Sequence, residues 1–556
     1  MTAQQEASTG GGENTYPRPA LPQFVGRIRE LAELRAGLED ALGGRGRLFL
    51  VSGEPGVGKT RLADEFSVRA ASSGSCVLWG RCWEGGGAPA YWPILQVVRA
   101  LIARRELAPA VPLLSGEKLA LIASIAPELR QLSNLHIAEK SPAPASDREK
   151  ARFELFDSVA SLFRACAAVV PLVLVIDDLH DADQSSLQML TFIAKGLKDS
   201  RAMIVGTHRD AEVRRSPELG ERIGDLNREG STLPLGGLSR SEVAEFVTSR
   251  SGRTAEEDVV ARVYSATDGN PLFVDGVVRL MLADHEFNNP SGRDAGFKLP
   301  HGVRESIRRQ LSALPEEAQE LLKIAAVIGN EFDANLIANQ GEIKAAEVAN
   351  LLEHAIAAGV VSRSVSASGR YRFSHALIRN AVYDDLSPVE RSQLHLQTAT
   401  SIEELHASDL KPHLAALAHH FREAGHWEKA VDYSILAAEA SLTVYAYDEA
   451  LSHRNEALEL LDLHDGNPGK KADLLTGLGW LLETTSPQKA VDHLERALGL
   501  YEALKAVDDG ARVHMMLGGI FARSGPLNDP PRALVHLRKA EPVLRVGKQE
   551  PLPHTY

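Results

Sequence analysis

Cysteine is scarce in this chain: Cys76, Cys82 and Cys166 are the three among 556 residues, and none has metal-ligand spacing. That argues against a disulfide framework and suits a reducing cytosol, with the thiols read as small, semi-buried apolar side chains. Long apolar runs are missing too. None reaches the roughly 18 residues of a membrane span. The first residues, with Gly10, Gly11, Gly12, Pro17, Pro19 and Pro22, lack the apolar stretch of a signal peptide. Residues 1–22 are expected to be a disordered tail, and the chain cytoplasmic with no membrane partner. Excess positive charge is the third absence. A net charge of −13 gives no global field for nucleic acid, so DNA is a minority expectation. Length is what the chain has: at about 150 residues per domain it should divide into three or four.

The most specific signal is Gly53-Glu54-Pro55-Gly56-Val57-Gly58-Lys59-Thr60, which matches the phosphate-binding loop G-x-x-x-x-G-K-[ST]. Its context is the required one. Leu48-Phe49-Leu50-Val51 before it reads as a buried parallel strand, and Leu62, Ala63, Phe66 and Ala70 after it recur at helical spacing. The glycines let backbone N–H groups point at phosphate oxygens, at a helix N-terminus that carries partial positive charge. Gly53 through Thr60, with Arg61 beside them, are the expected nucleotide-contacting segment for ATP or ADP. Lys59 should reach the β- and γ-phosphates and Thr60 should ligate Mg²⁺.

Further strands are expected at Cys76–Trp79, at 169–176 and at 202–206. Between the first two, a Gly/Pro/Trp stretch precedes a mostly helical insert, which ends in the exposed-loop composition Ser141–Ser146 and a helical stripe of Phe153, Phe156, Val159, Ala160 and Phe163. The strand 169–176 runs into Asp177-Asp178, the Walker B pattern. Asp177 should hold Mg²⁺, directly or through water, and Asp178 should polarise an attacking water. The strand 202–206 ends at Thr207 and Arg209, candidates to sense the γ-phosphate because strand C-termini line the ligand crevice of an open parallel sheet; the same residues also fit an ordinary surface loop.

Ser239 and Glu242 spell a helix start, and Asp268-Gly269-Asn270-Pro271 a turn between helices. Farther on, helices lead to a hairpin of Val360–Arg363 and Arg370–Phe373 across a Ser/Ala/Gly turn, which fits a winged-helix module. Such a module serves DNA binding or protein packing, and Arg304, Arg308 and Arg309 are the basic cluster nearby. In the last third, alanines recur seven apart at Ala430/Ala437, Ala450/Ala457, Ala490/Ala497 and Ala533/Ala540. Seven residues is close to two helical turns, so each pair lies on one face where a neighbouring helix can approach closely. Paired-helix repeats stacked as a solenoid explain the pattern, as does one alanine-rich bundle. His413, His419, His420 and His426 are read as surface histidines, since no cysteines or carboxylates accompany them in a metal-binding order.

Taken in order, Phe24-Val25-Gly26-Arg27, the phosphate loop, Ile176-Asp177-Asp178-Leu179-His180, Gly206-Thr207-His208-Arg209-Asp210, Asp268–Pro271 and Phe373–Arg379 resemble the signal-transduction ATPases with numerous domains, whose AAA-type module occurs in large LuxR-type regulators and beside some adenylate cyclases. The resemblance covers roughly residues 23–465. It implies that Val25, Gly26 and Arg27 lie near adenine and ribose, that Pro271 closes over the base, that Thr207 and Arg209 form a sensor, and that His375 meets the ADP β-phosphate. The family has tryptophan and alanine after Asp-Leu-His where this chain has Asp181-Ala182-Asp183. No C-terminal helix-turn-helix or N-terminal cyclase is recognisable, so the chain is expected to be a short member or one cut within its repeats.

The expected architecture is an α/β P-loop NTPase domain with a parallel sheet (23–234), a helical lid (235–298), a winged-helix-like domain (299–390) and all-α, TPR-like repeats (391–556). The expected function is a nucleotide-operated switch hydrolysing ATP slowly to ADP and phosphate. Lys59, Asp178 and Arg209 would be its catalytic residues, the repeats would hold an inducer or partner protein, and nucleotide-dependent self-association would be open to it. A DNA-binding regulator acting through the winged helix, or a nucleotide-bound scaffold without turnover, are the alternatives.

Overall fold

The computed structural model describes residues 24–83, 87–104, 109–110, 113–130, 148–283, 303–341, 343–363, 369–523 and 525–546. The expected tail 1–22, the loop Ser141–Ser146, most of the turn before Arg370 and the Arg304 side chain lie outside that description. The chain forms two compact units. One takes residues up to Arg27 together with Gly237–Leu299, and the other takes Ile28–Gly236 and Pro300 onward.

In the larger unit, β1 (Arg47–Gly53), β2 (Cys76–Arg81), β3 (Leu172–Asp177), β4 (Ala202–His208) and β5 (Ser231–Leu235) form a five-stranded sheet in the order β2-β3-β4-β1-β5. Every pairing is parallel. Every residue of β3 and β4 is buried, as expected of strands with helices on both faces. This is the P-loop NTPase sheet expected from the sequence, with two corrections. The strand expected at 169–176 begins only at Leu172, because the helix Arg148–Val169 runs through Val169. Pro171 has no N–H to donate, so neither helix nor ladder continues through it; its carbonyl instead accepts from Cys76 N–H at 2.8 Å. β5 is an additional strand, tolerating Pro234 because it pairs with β1 alone at the sheet edge. On the helix Arg148–Val169, Phe156, Val159, Ala160 and Phe163 are buried as the stripe requires, whereas Phe153 is 58% exposed and packs edge-on against Phe192.

Beyond residue 303 the helices Glu316–Ile328 and Ala345–Ala357 pack with a small antiparallel sheet. The expected hairpin is there as β7 (Val361–Arg363) and β8 (Arg370–Phe373). β6 (Glu331–Asp333) pairs on the other side of β8 and makes it the central strand. Phe332 stacks on Tyr371 across that pairing. Arg308 donates to Asp385 at 2.7 Å, so one of the basic residues noted there is neutralised within the protein.

The helices Trp427–Thr443, Tyr447–Leu463, Pro468–Leu482, Pro487–Leu504, Val507–Ala522 and Pro530–Val546 follow one another and pack in succession. All eight repeat alanines are at most 3% exposed, as close helix approach demands. The histidine expectation needs correction: His420 is 4% exposed and His419 half-buried, because the helix Leu414–Glu423 turns that face towards the helix Pro388–Leu405. Of the four, only His426 is exposed.

The smaller unit is built on the helices Arg240–Ser251, Glu257–Thr267 and Pro271–Ala283, joined through Val243, Val247, Val260, Val263, Val274 and Val278. Ser239 and Glu242 form the full capping box foreseen.

Candidate functional site

The helix Lys59–Ser72 grows directly from the loop after β1, and its start carries no side-chain cap. Gly58, at the position before it, has no side chain to compete for the first N–H groups, the arrangement that favours an anion. Two glycines make the loop feasible. Gly58 sits at φ 97°, and Gly53 at φ 152°, where a Cβ would stand 2.5 Å from the Leu235 carbonyl oxygen of β5. Lys59 is only 6% exposed and its ammonium donates to the carbonyls of Gly53 at 2.9 Å and Glu54 at 3.0 Å. Burial pulls its pKa down, opposed by the nearby Asp178 carboxylate. A buried cation satisfied by two neutral carbonyls, beside an uncapped helix start, is a site suited to phosphate.

The Walker B acids meet the loop from the end of β3. Asp177 is 3% exposed, and its Oδ1 accepts from the Thr60 hydroxyl at 3.1 Å and the Thr207 hydroxyl at 2.7 Å. Asp178 takes a left-handed backbone, φ 60°, and its N–H donates to Thr207 Oγ1 at 2.9 Å. Thr207 is fully buried, with its hydroxyl engaged by both acids' segments. Oxygen donors from Thr60 and Asp177 fit a hard divalent cation such as Mg²⁺. Arg209 lies near Lys59 and His180 and faces Glu212 at 3.6 Å. Arg61 follows in the first turn of the helix, while Glu54 is exposed, with Arg214 at 3.9 Å.

The sequence reading missed several neighbours. Arg81 ends β2 opposite Asp177, its Nε 4.0 Å from Asp177 Oδ2. From β8, Arg372 brings its guanidinium within 3.9 Å of Asp64 on the phosphate-loop helix, and burial pushes the Asp64 carboxyl pKa up. No motif marks either arginine; only the register of β2 on β3 and the fold of the second sheet bring them here. His180 is 9% exposed and its pKa is lowered to about 2, chiefly by burial and then by Arg209 and Lys59, so the ring is neutral.

His375 caps the helix Ala376–Asp385 just after β8, and its carbonyl accepts from Ile378 N–H at 2.9 Å. Val25, Gly26, Arg27 and Pro271 belong to the smaller unit. Gly26 and Arg27 have positive φ, Arg27 N–H donates to Glu242 Oε1 at 3.0 Å, and Pro271 opens its helix after the left-handed pair Asp268 and Gly269.

The Walker B segment also touches the C-terminal repeats. Asp183 caps the helix Gln184–Gly196, accepting from Ser186 N–H at 2.8 Å. Ser185, two residues after Asp183, donates its N–H at 3.1 Å and its hydroxyl to Glu449 of the helix Tyr447–Leu463. Burial, and then the charge of Asp183, push Glu449 up to about 8. Gln188 donates to Asp448 at 3.1 Å, and Tyr445 and Ala446 are buried in the core of the parallel-sheet region. Arg148 is 5% exposed, lies 3.5 Å from the Trp480 ring centroid and donates to the Trp480 carbonyl at 2.9 Å.

Residues 23–205 match the family model of an AAA ATPase domain. An uncharacterized protein of Rhizobium meliloti (strain 1021) is 24% identical over 483 residues, which are 83% of this chain and 45% of that protein. The chain thus spans less than half the length of this curated relative. Among solved structures, a signal-transduction ATPase with numerous domains from Pyrococcus horikoshii, with a tetratricopeptide repeat sensor, is 16% identical with a TM-score of 0.42, over 95% of this chain and 84% of that one. A Walker-type ATPase of Pyrococcus abyssi is 12% identical with a TM-score of 0.32, over 65% of this chain and 96% of that one.

Proposed function

We propose that this chain, an AAA-type P-loop ATPase domain similar to those of the signal-transduction ATPases with numerous domains and followed by helical repeats, is a nucleotide-operated switch whose repeats restrain the ATPase until an inducer or partner protein engages them. The observation behind this reading is the bond from Ser185 to Glu449. It ties the repeats to the helix that starts six residues after Asp178. A ligand that binds the repeats better when Glu449 is withdrawn would shift the population towards an open form, by as much as its affinities for the two forms differ.

In the nucleotide site, Lys59 would give up its two carbonyl partners to the phosphates, and Asp178 would orient the attacking water. Thr60 and Asp177 would hold Mg²⁺, which when bound supplies neutralising charge to the phosphate oxygens. Thr207, engaged with both acids, acts as a positioning residue, and Arg209 supplies positive charge beside the phosphates. Val25, Gly26, Arg27 and Pro271 would contact the base and ribose, and His375 the β-phosphate, holding the winged-helix-like region (299–390) to bound ADP. The parts in this reading remain those given above: 23–234 for the ATPase, 235–298 for the lid and 391–556 for the repeats.

Release of a fluorescent ADP analogue tests the proposal. An ordinary hydrogen bond is worth about 0.5–1.5 kcal/mol, so losing both Ser185 contacts in Glu449→Ala should speed release by roughly 5- to 100-fold. An unchanged release rate from a folded Glu449→Ala protein would separate the repeats from nucleotide control.

A further inference from the structure

His395, His419 and His420 offer three imidazole nitrogens that all lie within 4.8 Å of one another. They come from two helices, Pro388–Leu405 and Leu414–Glu423, at the start of the helical region. His395 is 1% exposed and His420 4%, and their Nδ1 atoms face each other at 2.8 Å. The His395–His419 and His419–His420 ring centroids are 5.7 and 5.3 Å apart. On the far side of His395, Nε2 lies 3.0 Å from the hydroxyl of Tyr383, on the helix Ala376–Asp385.

We propose that His395, His419 and His420 form a binding site for a borderline divalent transition metal, zinc in the first instance, with Tyr383 as the outer partner that orients His395. Three neutral imidazoles suit such an ion, and three protein ligands leave a fourth position for water. If His395 ligates through Nδ1, its Nε2 keeps the proton and donates it to Tyr383, the partner arrangement that fixes a ligating tautomer. Burial holds His395 at about 3 and lowers His419 and His420 as well, so all three rings are uncharged at neutral pH. In the present contact one of the facing Nδ1 atoms of His395 and His420 carries the hydrogen that the other accepts, so on ligation that ring shifts its hydrogen to Nε2. The Nδ1 atoms of His395 and His420 must separate from their present contact to about 3.3 Å to share a tetrahedral ion with bonds of about 2.0–2.1 Å, a movement of roughly half an ångström. Glu423 and Glu456 act on His419 with favourable charge, while Arg379, Arg391 and Arg422 oppose a cation. An ion here would pin the helix Pro388–Leu405 to the helix Leu414–Glu423 and, through Tyr383, to the helix Ala376–Asp385.

The test uses the untagged full chain, stripped with a chelator and kept in excess Mg²⁺ so that the phosphate-loop site is occupied. Zinc is titrated calorimetrically, and cobalt(II) by its visible absorption. The expected result is one zinc per chain that His419→Gln does not bind, a tetrahedral cobalt band with nitrogen ligands, and a zinc-dependent rise in thermal midpoint confined to the unsubstituted protein. His419 is half-buried, so its variant should fold where His395→Gln fails. Tyr383→Phe should weaken zinc by about 10-fold or more while keeping the stoichiometry, the usual cost of losing an outer partner. Equal zinc uptake by the unsubstituted chain and His419→Gln, or no uptake by either, would overturn the site.

Discussion

Thr207 shows how much one hydroxyl can carry. It donates to Asp177 and accepts from the backbone of Asp178, so replacing it by valine keeps the volume, takes the acceptor from the Asp178 N–H and leaves Asp177 Oδ1 with Thr60 of its two hydroxyl donors. Thr207→Val should cost about 1–3 kcal/mol of stability, read by denaturant unfolding, and lower the rate of hydrolysis with little loss of nucleotide affinity. Lys59→Ala removes the cation that faces the loop carbonyls and should abolish binding of a fluorescent nucleotide. Asp178→Ala should bind as before but hydrolyse about 100-fold more slowly or worse, the usual scale for losing a positioned base; normal turnover in that variant would remove Asp178 from the role. The loop and the two acids were legible because their chemistry fixes residue types at fixed spacing. Arg81 and Arg372 were not, since each owes its place to strand pairing and to a second sheet far along the chain. His419 and His420 were misread for a related reason: adjacent histidines on a helix announce nothing about which neighbour covers them.

At the scale of elements, the sequence carried most of the architecture wherever one feature dominated. The runs at β1, β3 and β4 are apolar because both faces are covered, and the paired alanines marked helix seams that the structure buries completely. What escaped was short or mixed. β5 alternates exposed and buried positions around Pro234, and β6 has three residues, too few for a pattern. Val169 and Val170 suit a strand by composition, yet the proline after them decides where the strand begins. The seam alanines give a direct check: Ala490 and Ala497 are fully buried between neighbouring helices, so Ala490→Leu should destabilise by about 1–3 kcal/mol through overpacking, whereas Leu534→Ala, at a position 48% exposed, should change little. Thermal unfolding monitored by circular dichroism would separate the two.

Across the whole molecule, Glu449 makes the contact between repeats and ATPase depend on pH. Its pKa is about 8 when docked against an ordinary 4.5, so the docked form holds a proton that the separated form has released. Docking is therefore strongest below about pH 4.5 and weakens as pH rises towards 8, the reverse of an acid stabilised by a cation. Asp183, also pushed up by burial, and Asp448 add negative charge to the same contact, and Arg152 lies 3.6 Å from Asp448. ADP release should accelerate between pH 6 and 8.5, and Glu449→Gln should flatten that profile; a slope unchanged in Glu449→Gln would assign the dependence to another group.

Ser185 and Glu449 lie 264 residues apart in the sequence. At a ribosomal pace of about 5–20 residues per second, the parallel sheet emerges on the order of 10–50 s before the segment that covers its flank at Tyr445 and Ala446. Throughout that interval the growing polypeptide presents an apolar face that its last helices have yet to cover. Synthesis itself thus passes through a stage in which the nucleotide-binding region lacks part of its core, which helices made far later in the chain supply.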